Sequence, residues 1–183
     1  GVGMSVPRLD PMPADRPLTL RSARTQDVPV IQALVEPLAR ERVLLQKEAV
    51  AYYEAIQEFV VAEEADGTLA GFGALHVMWQ DIAEVRTLAV SEAHRGTGVG
   101  HLIIEELLDR ARAVGVERVF CLTFEVEFFR RHGFEVMADQ SAVDPEVYAE
   151  LLRSTDEGVA EFLDLARVKP NTLGNTRMLR HLD

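Results

Sequence analysis

A short run of glycines and an arginine, RGTGVG at residues 95–100, has the residue types needed to bind phosphate groups. An apolar strand pattern at residues 84–90 precedes it, and a helical pattern at residues 101–108 follows it. Glycines let the backbone approach a phosphate closely, and a helix N-terminus adds about half a positive charge. Arg95 supplies a guanidinium that can bind an anion with two hydrogen bonds. The segment therefore predicts a cofactor that carries a diphosphate.

Three kinds of phosphate loop can be compared with this segment. A P-loop needs a lysine after its glycines, and none follows here. A dinucleotide-binding loop has the pattern G-x-G-x-x-G and directly follows a strand. Counted from Gly96, its third glycine would fall at position 101, which is His101. The remaining pattern, R-x-x-G-x-G/A, fits Arg95, Gly98 and Gly100, and the segment closely resembles the coenzyme A pyrophosphate loop of the GNAT acetyltransferase superfamily. A plain helix-capping turn is the alternative, but a cap needs only one glycine, and each ordered glycine costs about 0.5–1 kcal/mol.

Length and charge limit the classes of partner. A chain of 183 residues suits one domain with a full core. We expect residues 1–17, which contain four prolines, to be a flexible tail, and residues 18–183 to form a single domain. The formal net charge of −11 repels nucleic acid and anionic membranes, so neither is an expected partner.

Cysteine usage and hydropathy predict a cytoplasmic protein. The single cysteine, Cys121, excludes an internal disulfide and lies in an apolar run typical of a core position. The sequence shows no signal peptide and no apolar stretch near twenty residues.

The pattern of residues predicts an α/β fold. Asp66-Gly67 indicates a hairpin turn, Thr25 is expected to cap a helix, and Gly71 and Gly73 indicate a bulge or a close backbone approach. Hairpins followed by strand–helix–strand units favour a mixed sheet with helices on both faces. The resemblance implies the GNAT fold, with a mostly antiparallel central sheet. The expected strands are 18–23, 58–63, 68–78, 81–90, 118–123, 134–137 and 177–182, and the expected helices are 27–39, 47–56, one ending at Gly115, 125–132, 145–153 and 156–165.

A second segment, FFRRHGF at residues 128–134, resembles another GNAT signature. The resemblance places Phe128, Phe129 and Arg131 at the cofactor. In many family members a tyrosine at the position of Phe129 protonates the departing CoA thiolate, which phenylalanine cannot do. Because CoA is a fairly good leaving group, water or no acid is expected to suffice.

More of the chain resembles one branch of the superfamily, the acetyltransferase domain of N-acetylglutamate synthases. Residues 73–76, 84–90, 119–123 and 169–179 carry this likeness, which covers residues 18–182. Many such synthases also have an amino-acid-kinase-like domain, so this chain resembles the short, actinobacterial form. The resemblance implies transfer of acetyl from acetyl-CoA to the α-amine of L-glutamate or L-glutamine, the first step of arginine biosynthesis. It also allows a homodimer.

Removal of a proton from the acceptor amine is the main chemical requirement. An α-ammonium with a pKa of about 8 is mostly protonated near pH 7, and a general base contributes about 10²–10⁴-fold to the rate. Glu84 begins the strand that leads to the glycine loop, and it matches the catalytic glutamate of several GNAT branches. We predict that it acts as the base through a water molecule. The alternatives are an exposed carboxylate at the strand end or an ion pair with Arg86.

The acetyl group must be held beside the amine. In GNAT folds the strand splays here, and its backbone N–H groups polarise the thioester in the manner of an oxyanion hole. In this chain the apolar side chains of that strand also fit an ordinary core. The residues expected at the cofactor are Leu88, Ala89, Val90, Arg95, Gly96, Thr97, Gly98, Val99, Gly100 and His101.

An amino-acid acceptor needs cations that bind its carboxylate. Arg86 lies two residues after Glu84, on the same strand face. The resemblance places Lys47 in the loop–helix segment where synthases of this type contact substrate, and His76 at a position where related synthases have a lysine. The remaining candidates, in the closing segment and at the end of a strand, are Lys169, Arg177, Thr123 and Phe124. Each basic residue could instead be a solvated surface charge, and Thr123 could simply fill a strand.

Two other functions stay open from sequence alone. The acceptor could be another small amine or a protein N-terminus, which an acidic surface would suit. The chain could also be a non-catalytic acyl-CoA sensor. For a catalyst, direct attack of the amine is favoured over an acetylated cysteine because Cys121 is expected to be buried. No metal is expected.

Overall fold

The computed structural model describes residues 17–40, 48–138, 143–171 and 174–183. The strands are β1 Leu18–Ser22, β2 Phe59–Glu64, β3 Leu69–Trp79, β4 Ile82–Val90, β5 Arg118–Thr123, β6 Glu135–Val136 and β7 Thr176–His181. The α-helices are α1 Val28–Arg40, α2 Ala49–Glu54, α3 Val99–Val114, α4 Val126–Arg130, α5 Pro145–Leu151 and α6 Glu157–Phe162. Short 3₁₀ helices occupy Thr25–Asp27, Ile56–Glu58, Glu92–His94 and Ala166–Asn171.

The strands form a seven-stranded mixed sheet in the order β1-β2-β3-β4-β5-β7-β6. Strand β4 pairs parallel to β5, with Ile82–Glu84 opposite Arg118–Phe120. The β1–β2, β2–β3, β5–β7 and β6–β7 pairs are antiparallel. The predicted α/β class and its mixed, mostly antiparallel sheet are therefore confirmed.

The described chain divides into two compact units. The first unit contains the described residues of Gly1–Ala74 together with Thr87–Leu107, and the second contains Leu75–Arg86 and Leu108–Asp183. In the first unit, fully buried side chains of α1 and the hairpin β2–β3 form the core, among them Ile31, Phe59 and Phe72. In the second, Phe120 of β5 packs edge to face on Phe162 of α6, with ring centroids 5.3 Å apart.

Two glycines of β3 allow close packing in the first unit. A Cβ on Gly71 would lie 2.8 Å from the carbonyl oxygen of Ala89, and one on Gly73 would lie 3.0 Å from both Leu88 and Leu107. The register of the hairpin also shifts beside Gly71, which is a β-bulge. The expected close approach and bulge are both confirmed, and they seat α3 and the end of β4 against β3.

Most predicted elements are present with slightly different ends, but two details differ from expectation. Thr25 is not the cap: the Asp27 carboxylate accepts a 2.6 Å hydrogen bond from the Arg24 N–H, and Arg21 holds that carboxylate with two further bonds. The 3₁₀ helix Ala166–Asn171 was not expected, because six residues are too few to show a helical period. Residues 1–16 of the expected tail, and Lys47, lie outside the described residues.

Candidate active site

The glycine loop lies in the first unit, between the 3₁₀ helix Glu92–His94 and the sixteen-residue helix α3. Gly96 and Gly98 have φ angles of 76° and 90°, a left-handed conformation that glycine adopts without strain. The side chain of Arg95 is exposed. The first N–H groups of an α-helix have no partner within the helix. The exposed guanidinium of Arg95, the glycine backbone and the N-terminus of α3 together provide hydrogen-bond donors suited to a diphosphate.

A histidine that sequence reasoning passed over anchors this loop. His94 is 2% exposed, its Nδ1 lies 2.7 Å from Ser91 Oγ, and its Nε2 lies 3.2 Å from a carboxylate oxygen of Glu64. Its carbonyl oxygen accepts hydrogen bonds from the N–H and the hydroxyl of Thr97. The spacing of Ser91 and His94, three residues apart just before the loop, was the available signal.

Strand β4 changes conformation just before its predicted cofactor residues. Its parallel pairing with β5 covers Ile82–Glu84, and Thr87 then has a φ of 55°, which is unusual for a β-branched residue. Ala89 is buried, and Leu88 and Val90 are partly exposed. The distortion agrees with a strand that splays near this point, and the contact of Leu88, Ala89 and Val90 with an acyl group stays a prediction.

In the second unit, the buried Glu84 and the partly buried Arg86 and Asp156 form one ionic cluster. The Nε of Arg86 donates to Oε1 of Glu84 over 2.8 Å. The two terminal nitrogens of Arg86 donate to the two carboxylate oxygens of Asp156, over 2.9 and 2.6 Å. Glu84 is 4% exposed, so it is not the exposed strand-end carboxylate considered above. Both predicted residues are therefore brought together, with Asp156 as a partner that sequence reasoning missed.

The charges in this cluster stabilise one another. Burial alone would lower the pKa of Arg86, but the charges and hydrogen bonds of Glu84 and Asp156 raise it above its usual value. Burial would raise the pKa of Asp156, but Arg86 and His76 hold it below its usual range. The Nε2 of His76 lies 3.8 Å from Asp156 Oδ1, which adds the predicted His76 to the edge of the cluster.

Helix α6 begins against this cluster. Asp156 is its N-cap and accepts a 3.1 Å hydrogen bond from the Val159 N–H. A Cβ on Gly158 would lie 2.9 Å from Cδ of Glu84, and nearer still to Oε1 of Glu84 and to Arg86. Only a glycine leaves room for the ion pair at this position.

Helix α6 also carries a buried acid that was not predicted. Glu161 is 8% exposed, and burial, followed by the negative charge of Glu84, raises its pKa to about 8. The signal in the sequence was a single acidic residue within the apolar run VAEFL at residues 159–163.

Two predicted cations line a cavity of about 350 Å³ in the second unit. Arg177 donates hydrogen bonds to the carbonyl oxygens of Glu161 and Phe162 at the C-terminus of α6, where a cation complements the helix dipole. Lys169 forms a 2.6 Å ion pair with Asp164, which also lines the cavity. The cavity therefore has two cations and one carboxylate among its lining residues.

The other predicted site residues of the second unit belong neither to the ionic cluster of Glu84 nor to the lining of the cavity. Thr123 is buried and accepts a 2.7 Å hydrogen bond from the Glu125 N–H, and Phe124 is 44% exposed. Phe129 is 5% exposed, and its ring packs on Phe134 and Phe128 with centroids 5.2 Å apart. The positions expected to contact the cofactor here, Phe128, Phe129 and Arg131, stay predictions.

Cys121 is 1% exposed, which confirms the expected core position. Burial, with a smaller effect of Glu84, raises the pKa of its thiol well above the usual value. Among the described residues, no group of three or more His, Cys, Asp or Glu side chains is placed to hold a metal ion. Within the same part of the chain, no helix has both the length and the apolar character needed to cross a membrane.

The chain is similar to known proteins over most of its length. Residues 30–134 match the model of the acetyltransferase (GNAT) family. An amino-acid acetyltransferase of Mycobacterium tuberculosis is 53% identical over 169 residues, which are 91% of this chain and 96% of that protein. A crystal structure of Rv2747 from the same organism in complex with CoA has a TM-score of 0.86 at 53% identity, covering 90% of this chain and 99% of that one.

A more distant likeness is to a longer protein. The N-acetylglutamate synthase of Neisseria gonorrhoeae, solved with coenzyme A and N-acetyl-glutamate, has a TM-score of 0.71 at 26% identity. The match covers 91% of this chain but 35% of that one, so this chain spans about a third of the synthase's length.

These matches, with the glycine loop and the sheet, define a coenzyme A-dependent acyltransferase. The chain belongs to the GNAT acetyltransferase family and is an acetyl-CoA-dependent N-acetyltransferase.

Proposed function

We propose that this protein transfers the acetyl group of acetyl-CoA to the α-amine of L-glutamate or L-glutamine, as the first step of arginine biosynthesis. The names of two relatives support this acceptor class: an amino-acid acetyltransferase at 53% identity, and a synthase solved with N-acetyl-glutamate at 26%. Within this chain, the observation that carries the proposal is the buried Glu84 carboxylate on β4, the strand that leads to the glycine loop.

Glu84 is proposed to be the general base. Its carboxylate is one half of an ion pair, since Arg86 donates a hydrogen bond to it over 2.8 Å. Because the carboxylate is buried, the proton of the amine would reach it through a bound water molecule. Asp156 fixes Arg86 in turn through two hydrogen bonds, so the carboxylate is held in one orientation.

The loop residues Arg95 to His101 would hold the diphosphate of acetyl-CoA, which supplies the acetyl group. Direct attack by the amine is favoured over an acetylated cysteine. Cys121 is buried and its raised thiol pKa keeps it neutral, whereas a nucleophilic cysteine needs an accessible thiolate.

The acceptor's carboxyl groups need cationic partners. Arg177 and Lys169 line the cavity at the C-terminus of α6, and one carboxylate, Asp164, lies among them. Two cations against one anion leave a net positive charge that favours an acidic side chain. Arg86 would bind an acceptor carboxylate only by exchanging part of its contact with Asp156.

The proposal is tested by CoA thiol release with a panel of amino acids, small amines and peptides, with and without added arginine. We expect L-glutamate or L-glutamine to give the highest kcat/KM. The Glu84→Gln variant should lose roughly 10²-fold or more in kcat, whereas Glu127→Gln, an exposed carboxylate paired with Arg130, should match the wild type. Strong turnover of peptides without turnover of amino acids would refute the proposed acceptor.

A further inference from the structure

The buried acid Glu161 has no part in the function proposed above. Hydrogen bonds from Arg177 and from the Asp164 N–H reach its backbone carbonyl. Its carboxyl group instead lies in the electrostatic field of Glu84, Arg86 and Asp156. A buried carboxyl beside an ionic cluster is costly to ionise, so its position calls for a reason.

Helix α6 places Glu161 on the face that meets the Glu84 ion pair. Residues three apart on a helix lie on the same face, about 4.5 Å apart along the axis. Gly158 is three residues before Glu161, and its Cα packs against the carboxylate of Glu84 and the guanidinium of Arg86. Glu161 therefore lies about one helical turn after Gly158, the residue of α6 that contacts Glu84.

The cluster has too few cations to neutralise a third carboxylate. Arg86 already compensates both Glu84 and Asp156. The other groups that act on Glu161 are Glu157 of the same helix, whose charge opposes ionisation, and Arg177 of β7, which binds its carbonyl. Across the sheet, Cys121 of β5 is neutral, and His76 of β3 faces Asp156. At neutral pH the Glu161 carboxyl is consequently protonated, with a pKa of about 8.

We propose that Glu161 is the proton-storing partner of Glu84: ionised Glu161 takes over the proton that Glu84 removes from the acceptor amine and releases it to solvent. This inference rests on the proposed function because it takes Glu84 as the base. Glu161 is a positioning residue, since it acts on the reaction through Glu84.

The proton balance of the reaction leaves one proton for this route. The amine nitrogen bonds to the acetyl carbon, and the bond from that carbon to sulfur breaks. The ammonium group loses two protons in all: one ends on the CoA sulfur, and the other leaves through Glu84 and Glu161. No electrons are transferred to or from the protein.

The direction of the pH dependence follows from this role of Glu161. Only ionised Glu161 can accept a proton, so kcat should rise with pH through a value near 8 and level off above it. The substrate amine titrates in the free acceptor and affects kcat/KM, whereas kcat reports the enzyme with both substrates bound.

The first experiment needs no turnover. Infrared spectra of the full chain, recorded from pH 5 to pH 10, should contain the stretch of a protonated carboxylic acid that disappears around pH 8. That band should be absent from Glu161→Gln, which has nearly the same shape, and present in Glu150→Gln. Glu150 of α5 is the matched control because it is exposed, is paired with Arg153 and is not among the charges that act on Glu161. A Glu161 carboxylate that is already ionised at pH 6 would overturn the inference.

The second experiment measures kcat against pH with whichever amine is turned over best. In Glu161→Gln, kcat at pH 8.5 should fall by roughly tenfold, a fraction of what the base itself contributes, and the rise near pH 8 should be lost. The KM for acetyl-CoA should not change, and Glu150→Gln should keep the wild-type profile. An unchanged profile in Glu161→Gln would overturn the inference and leave the proposed function standing. Turnover of a different amine, with the rise near pH 8 lost in Glu161→Gln, would refute the proposed acceptor and support the role of Glu161.

Discussion

Gly158 packs directly on the carboxylate of Glu84, so closely that a Cβ at position 158 would lie 2.9 Å from Cδ of that residue. Real Cβ atoms do not approach other heavy atoms within 3.0 Å, so any side chain here must displace Glu84 or Arg86. Both side chains are held by short ionic hydrogen bonds, with Glu84 buried and Arg86 partly buried. Gly158, the second residue of α6, thus controls where the proposed base points.

Replacing Gly158 with alanine should therefore impair catalysis more than folding. Overpacking costs about 1–3 kcal/mol of unfolding free energy, and a displacement of about 1 Å at a catalytic group can cost on the order of 10²-fold in rate. We expect kcat of Gly158→Ala to fall by roughly that factor, measured by CoA release, with a moderate loss in urea-induced unfolding.

The control for this variant is Gly67→Ala. Gly67 has a φ of 89° in the hairpin turn and open space around it, so alanine there is strained without touching the site. It should lose about 1 kcal/mol of stability and keep its kcat. Equal kinetics in the two variants would show that the contact with Glu84 has no catalytic consequence.

The glycine loop gives a second prediction. Gly98 has a φ of 90°, and an alanine there would strain the backbone that is expected to contact the diphosphate. We expect Gly98→Ala to raise the KM for acetyl-CoA by roughly tenfold or more, equivalent to about 1.4 kcal/mol of lost binding.

Gly115 is a matched control because it also has a positive φ, of 99°, but it follows the C-terminus of α3 and has open space around it. Gly115→Ala should lose a similar amount of stability without a change in KM. If both variants showed the same KM, backbone strain at Gly98 would not matter for cofactor binding.

His94 gives a third prediction, because it connects the loop to the end of β2 through Glu64. The His94→Gln variant should raise the KM for acetyl-CoA several-fold with little change in kcat, since the amine-binding groups are untouched. The mutation Glu64→Gln should have a smaller effect, and the double variant should be less impaired than the sum of the two. His181→Gln, an exposed histidine at the end of β7, serves as the control. Strictly additive effects of His94 and Glu64 would contradict the coupling.

The sequence predicted the sheet, most helices and the loop because each has a local signature. Short apolar runs indicated the strands, and glycines with an arginine before a helical pattern indicated the loop. Gly71 and Gly73 were recognised as places of close approach because glycine inside a strand seldom has another purpose.

The partners of the candidate site could not be predicted in the same way. Asp156 is 70 residues from Arg86 in the sequence, and only the folded chain brings the two together. The same holds for the contact of Gly158 with Glu84. Glu161 looked like one more acid on a helix, because its raised pKa depends on burial and on a carboxylate from another strand. Long-range pairing of this kind leaves no periodic trace in a single sequence.

The stability of the protein should depend on pH through Glu161. Its pKa is raised from an ordinary value of 4.5 to about 8 in the folded chain, so the folded state binds this proton more tightly than the unfolded state does. The unfolding free energy should therefore fall as pH rises from about 4.5 to about 8, and then level off. Asp156 acts in a different window: its pKa is lowered, so its contribution is present above its unfolded pKa and is lost at acid pH.

Comparison of Glu161→Gln with the wild type isolates this effect, because the titrations of groups that do not interact with Glu161 cancel in the difference. Urea unfolding at pH 5, 7 and 9 should show the variant gaining stability relative to the wild type as pH rises. At about 1.4 kcal/mol per pKa unit, the gain between pH 5 and pH 9 has an upper limit of a few kcal/mol. Glu150→Gln, which removes an exposed carboxylate of α5 that does not act on Glu161, serves as the control for this comparison. If the difference in unfolding free energy between Glu161→Gln and the wild type stayed constant from pH 5 to pH 9, Glu161 would have an ordinary pKa. Helix α6 would then tolerate a buried charge at this position.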